Sequence, residues 1–185
     1  HCSGKHAGWL AACTIAGWET TPYLEPNHPL QQLTVTIVAE MTGLDPEPVG
    51  VDGCGSPTLR GSVRGLALAF SRLDTDPELR PMAHAMKRFP ALVADNLRPE
   101  GRAGMWWGGP QKVGAEGLYA MTRSGVTIVA RSDSGRTEVA VAAALITARR
   151  VGALPNAMAE ALKDQMRPPV MGAGREAGHM ELIDA

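Results

Sequence analysis

The 185-residue chain is poor in cysteine: Cys2, Cys13 and Cys54 are the whole complement. So small and odd a number does not make the disulfide framework of a secreted mini-domain, and it points to a reducing, cytoplasmic compartment. Charge of one sign is also missing. The formal net charge is -1, which leaves no electrostatic footprint for nucleic acid or an acidic membrane surface. No apolar run reaches the roughly 18 residues of a membrane span; the densest, 139–146, is far shorter. No signal-peptide pattern is visible. The sequence contains no GxSxG elbow, no GxxxxGK[ST] phosphate loop, no HExxH and no CxxC, and no serine is followed three residues later by lysine. Three common reaction classes therefore lose their usual signatures.

What is present reads as an ordinary globular chain. Hydrophobic residues make up 44% and charged residues 20%, which excludes a disordered or collagenous protein. A chain of this size buries roughly 70% of its unfolded surface, so it needs no metal or disulfide to acquire a core. Periodicity predicts helices over 6–18, 30–43, 62–73, 77–95 and 138–151, with a shorter one over 156–166. Pro29 suits the first turn of the second helix and Ser62 the cap of the third. The fourth is interrupted before Pro90, because a residue preceding proline resists helical geometry. Residues 45–58 read as a structured loop or short strand, 99–117 as a glycine-dominated stretch, and the chain end as a polar tail. Two strand-like runs, 117–122 and 126–131, flank Arg123-Ser124-Gly125 and predict a hairpin. The pattern is that of a layered α/β (α+β) domain spanning 1–185. Two strands do not make a stable sheet. Together with the start at His1 rather than Met, this leads us to expect further strands from a segment upstream.

Two clusters carry residues suited to chemistry: His1-Cys2-Ser3-Gly4-Lys5-His6-Ala7-Gly8 and Val51-Asp52-Gly53-Cys54-Gly55-Ser56-Pro57-Thr58. Each sets a cysteine among glycines, where backbone can approach a ligand closely. Cys2 precedes a helix, whose N-terminus favours the thiolate. Two thiolates and one nitrogen ligand would leave a zinc ion with one open position, the arrangement of catalytic zinc sites. Spacing alone selects Cys2, His6 and Cys54 as ligands. The competing reading is that both cysteines are small buried hydrophobes.

These residues also carry a resemblance. CSGKHAG followed some fifty residues later by DGCGSPT resembles the bacterial asparaginase II family, the zinc-containing, serine-dependent type. Lys112-Val113-Gly114-Ala115-Glu116-Gly117 is similar to its KxGAEG segment, 130–135 to its LKxDDG strand end, and Arg167-Pro168-Pro169-Val170 to its closing RPPV. The resemblance covers nearly the whole chain. It implies a fold like that of serine β-lactamases and glutaminases, an α/β sandwich of which this chain is the larger C-terminal part. It implies hydrolysis of asparagine, or a similar small-molecule amide, to the acid and ammonia, with zinc as cofactor and a homodimer as the assembly. Residue by residue, the metal ligands correspond to Cys2, Lys5 and Cys54, and Asp52 to a group that hydrogen-bonds the metal-bound water. Lys5 thus displaces His6 from the ligand set. A lysine ligand has to give up its proton, which the metal and local burial must favour.

The sequence departs from the family at several points. The nucleophilic serine and its lysine lie before CSGK in that family, so they are expected upstream of this chain. A further catalytic lysine of the LKxDDG strand is replaced by Arg131, which cannot act as a base, and the first aspartate by Ser132; Asp133 and Gly135 persist. Between 93 and 104 the glycine–arginine pattern is blurred, with Arg98 its nearest match. An inactive zinc- or ligand-binding relic, or an amidase of other specificity, is therefore the alternative. Arg131 would suit a carboxylate through its planar fork. Of the remaining candidates, Ser3 and Ser56 are expected to cap helices, His28, His84 and His179 to sit at the surface, and Cys13 and Trp106-Trp107 to pack in the core.

Overall fold

The computed structural model describes residues 2–181 and Ile183. Its backbone falls into two compact units, 1–65 and 66–185.

The first unit contains helices α1 (Ser3–Ala16) and α2 (Pro29–Thr42) and a hairpin of β1 (Pro48–Val51) and β2 (Pro57–Leu59). Helix α1 begins three residues before its expected start, with Cys2 at the N-cap. It ends at Gly17, whose φ of 70° is the left-handed conformation glycine adopts at least cost. Helix α2 starts at Pro29 and stops at Gly43, φ 67°. His28 corrects one expectation: it is buried, because its ring is the cap. Its Nδ1 accepts from the Leu30 amide, which leaves Nε2–H to donate to the Glu19 carbonyl at 2.9 Å. The stretch 45–58 is a true hairpin, in antiparallel register with Val51 opposite Pro57.

Helix α3 (Val63–Thr75) leads into the second unit, and Ser62 caps it as expected, its Oγ accepting from the Gly65 amide at 3.0 Å. The expected helix over 77–95 is three pieces: a 3₁₀ turn at Pro77–Leu79, α4 (Arg80–Arg88) and α5 (Pro90–Val93). The break at Phe89 is the one Pro90 imposes. The glycine-dominated stretch is not irregular. It forms α6 (Pro99–Trp107) and β3 (Gln111–Gly114). Glycine is present there for closeness: a Cβ on Gly101 would stand 1.8 Å from the Asp95 carbonyl oxygen, and one on Gly104 2.5 Å from Gln111 Nε2.

Strands β4 (Leu118–Arg123) and β5 (Val126–Arg131) form the expected hairpin around Ser124-Gly125, whose φ values of 51° and 80° both lie in the left-handed region. With β3 they make an antiparallel sheet in the order β3-β4-β5. Helix α7 (Thr137–Arg150) packs its alanine-rich face on that sheet. Helices α8 (Asn156–Ala161) and α9 (Lys163–Met166) replace the single expected helix. The polar tail pairs as a hairpin of β6 (Pro169–Gly172) and β7 (Arg175–His179). The core gathers Trp107, Tyr119, Met121, Val141, Leu145 and Leu162. Burying each of the aliphatic ones contributes about 1.5–3 kcal/mol. Trp106 and Trp107 part company: Trp107 is buried, whereas Trp106 is exposed, since neighbours on a helix point about 100° apart. The class is mixed α/β with small sheets.

Candidate metal centre

In the first unit, the start of α1 and the β1–β2 turn bring sulfur and oxygen donors together. The turn is shaped by its own backbone. The Asp52 amide donates to the Ser56 carbonyl and the Gly55 amide to the Asp52 carbonyl, both at 2.8 Å, with Gly55 at φ 85°. Asp52 Oδ1 accepts from the Gly53 amide at 2.8 Å, while its other oxygen faces the Cys54 thiol at 3.8 Å. Asp52 therefore serves the turn and the cluster at once. Cys2 Sγ, an Asp52 carboxylate oxygen and Cys54 Sγ all lie within 4.8 Å of one another.

Nitrogen donors flank this group. Lys5 Nζ donates to Cys54 Sγ at 3.6 Å and lies 5.0 Å from the centre of the Trp9 ring. His6 Nδ1 pairs with the Tyr23 hydroxyl at 2.8 Å. Its Nε2 is buried with no well-formed hydrogen bond among the described residues. The Cys54 thiol is held down from 9.0 to about 7, chiefly by the His6 ring, then by the Ser56 backbone, with smaller help from Cys2 and the Lys5 ammonium. A thiol so poised is easily a thiolate, the form that binds metal or attacks an electrophile.

Cys2, Lys5, His6, Asp52 and Cys54 thus share one neighbourhood. Two thiols, a carboxylate, an amine and an imidazole with a free nitrogen suit a borderline-soft divalent ion such as zinc. Tyr23 and Trp9 support the cluster. Nothing in the sequence marked Tyr23, because it reaches His6 across a proline-rich loop that has no periodicity. Neither serine caps a helix. Ser3 is already the first residue inside α1, and buried Ser56 donates its Oγ to the Pro57 carbonyl. Cys13 is buried, apart from the thiol pair.

Arg131 belongs to the second unit. It ends β5, exposed, opposite Leu118. The two motif segments of this unit do meet. The Ser132 amide donates to the Gly117 carbonyl at 2.8 Å, and the Ser132 and Ser134 hydroxyls bond at 2.7 Å. A Cβ on Gly117, at φ 70°, would stand 2.7 Å from the Gly135 carbonyl carbon, so the glycine is required by the contact. Arg98 is exposed and reaches Glu100 at 3.7 Å.

No curated protein gives a significant match to this chain. The profile of the L-asparaginase II family matches residues 1–182, almost the whole length, with both thiol motifs and the meeting segments of the second unit inside it; the chain belongs to the L-asparaginase II family.

Proposed function

We propose that this protein hydrolyses the side-chain amide of asparagine to aspartate and ammonia, with a zinc ion held by Cys2, Lys5 and Cys54. The observation that carries the reading is the convergence of the two thiols and Asp52 within 4.8 Å in a chain of this family. In the proposed reaction a serine hydroxyl attacks the amide carbon, a lysine takes its proton, ammonia leaves, and water then cleaves the acyl ester. The 185 residues contain no Ser-x-x-Lys pair, so in this reading nucleophile and base are supplied from outside them. The fold of the reading is a β-lactamase-like sandwich, and the assembly a homodimer.

The chain's own residues have defined tasks. Cys54 needs little help to ionise, because His6, Cys2 and Lys5 already favour its thiolate. Lys5, which donates to Cys54 Sγ at 3.6 Å, would have to lose a proton to solvent to serve as a ligand. Asp52, fixed by the Gly53 amide, keeps its second oxygen for a hydrogen-bond donor at the site. His6 is oriented by Tyr23 through Nδ1, and its ring is the largest cause of the lowered Cys54 thiol. When bound, zinc supplies Lewis acidity toward a carbonyl or water oxygen.

Metal analysis together with ammonia release tests this. The purified protein is expected to carry about one zinc per chain, as a single three-ligand site holds, and Cys54→Ala to lose it. Zinc content unchanged in Cys54→Ala would sink the ligand assignment. Ammonia released from asparagine, faster than from glutamine, supports the substrate. A metal- or ligand-binding protein without amidase activity is the second reading, favoured by Arg131 where the family's lysine stands. A folded, zinc-loaded protein that releases no ammonia from either amide would select it.

A further inference from the structure

The second unit contains a pocket of about 570 Å³ that the proposed function does not use. Helix α7 contributes Ile146, Arg149 and Arg150 to its lining, and α9 with its C-cap contributes Lys163, Met166 and Arg167. The first three are spaced i, i+3, i+4, which sets them on one face of α7, and the same spacing recurs in the second three. The two helices pack against each other. Met166 is buried and Ile146 half-buried, so they make an apolar floor, while all four cations are exposed around it. Cations suit the last turn of a helix, which would account for Arg149 and Arg150 alone. It does not account for Lys163 and Arg167 sharing the same pocket from another element.

A carboxylate already stands in this wall. Glu181, the one acidic residue of the lining, accepts from Arg167 Nη2. The other cations are engaged as well: Lys163 donates to Glu160 at 2.7 Å, and Arg150 has a partner of its own. The cluster is felt beyond its rim, since the Glu160 carboxyl is held below the usual carboxylate range, first by Lys163 and in smaller part by Arg149. The pairs Arg167–Glu181 and Lys163–Glu160 are solvent-exposed on both sides. Such pairs contribute little in water and exchange readily for a better acceptor.

We propose that this pocket binds a small organic phosphate, a phosphate monoester with an apolar body, which is held by Arg149 and Arg167 and displaces Glu181. Four cations against one carboxylate in the lining disfavour a cationic ligand and favour a dianion. A phosphate monoester brings three acceptor oxygens and a charge of about -1.5 to -2 at neutral pH, and guanidinium forks match it bidentately. A carboxylate brings one charge and two oxygens. The floor of Ile146 and Met166 suits an apolar body that inorganic phosphate lacks. The volume also falls within the roughly 300–1,000 Å³ of small-molecule sites. The inference is independent of the amidase reading.

Isothermal titration calorimetry of the full chain at low salt tests this, with phenyl phosphate, inorganic phosphate and benzoate as probes. Phenyl phosphate is expected to bind about tenfold tighter than inorganic phosphate, because its ring covers the apolar floor, and tighter than benzoate. Arg149→Gln and Arg167→Gln are each expected to weaken phenyl phosphate about tenfold, and Glu181→Gln to tighten it. No saturable binding of phenyl phosphate overturns the proposal. So does an affinity that neither arginine variant changes, for then the anion sits elsewhere on the chain. Equal affinity for inorganic phosphate or benzoate overturns the ligand class. All three substituted residues are exposed, and thermal unfolding of each variant checks that the fold is kept. Should an arginine variant fail to fold, Glu181→Gln still decides, since unchanged affinity there overturns the displacement.

Discussion

The two units are held together by different physics. In the second, thirteen buried residues form one continuous apolar cluster around Trp107, Tyr119 and Leu145. In the first, Cys13 and Leu30 are the buried hydrophobic residues, joined by the buried polar groups His28, Gln31 and Ser56. Its order rests on caps and turns: the His28 ring on α2, Gln31 on the Tyr23 carbonyl, and the Asp52–Ser56 turn. A region with so small an apolar core is one that ligand binding can stabilise strongly, because binding free energy becomes folding free energy. The same region holds the thiol cluster.

Four measurements would break or sharpen this contrast. The largest effect is expected in the apolar unit. Trp107→Ala removes a fully buried ring and its bond from Nε1 to the Thr122 carbonyl, and should cost about 3–5 kcal/mol in denaturant unfolding. A loss under 1 kcal/mol would mean that this cluster does not dominate its unit.

Chelation comes next. Removing the proposed zinc should lower stability by about 2.7 kcal/mol when free metal had stood a hundredfold above Kd. Hydrogen exchange should quicken in α1 and the β1–β2 turn. Unchanged exchange at those amides would show that the small polar unit stands without metal. A smaller effect is expected of His28→Ala, which deletes the cap of α2 and the tie to Glu19. About 1 kcal/mol is the ordinary loss for a helix cap, and a neutral result would mean that Pro29 alone fixes the start of the helix.

The subtlest test is chemical. In metal-free protein the Cys54 thiol is held down to about 7, so thiolate accumulates as pH rises through that value. Alkylation at Cys54, followed by peptide mass spectrometry, should reach half its plateau rate near pH 7 rather than near 9. His6→Ala should move the midpoint up, since the His6 ring is the largest cause of the shift. A midpoint that stays in place would remove His6 from the cluster's electrostatics.

Much of this was legible before any coordinates. The β4–β5 hairpin was announced by two strand-like runs flanking Arg123-Ser124-Gly125, α2 by Pro29 and Gly43, and the break at Phe89 by Pro90. What failed to read failed for identifiable reasons. Gly101 and Gly104 look like helix breakers, yet they sit inside α6 because Asp95 and Gln111 press against it, and such closeness is a tertiary fact. The β6–β7 hairpin was hidden by its polar composition. His28 carries no mark of burial in the sequence; its partners are Glu19 and Leu30, reached through a loop.

The sequence by itself determined the family, through its two cysteine motifs and the ordered segments after them, and the main helices, through periodicity and the fixed φ of proline. Both are local properties of the chain, written in residue type and spacing. Only the tertiary structure decided that Asp52 is shared between a turn and the thiol cluster, that the His6 ring is tied to Tyr23 and lowers the Cys54 thiol, and that Gly104 packs against the Gln111 side chain. Each depends on side chains distant in sequence arriving at one point, and packing sets such meetings, not local preference.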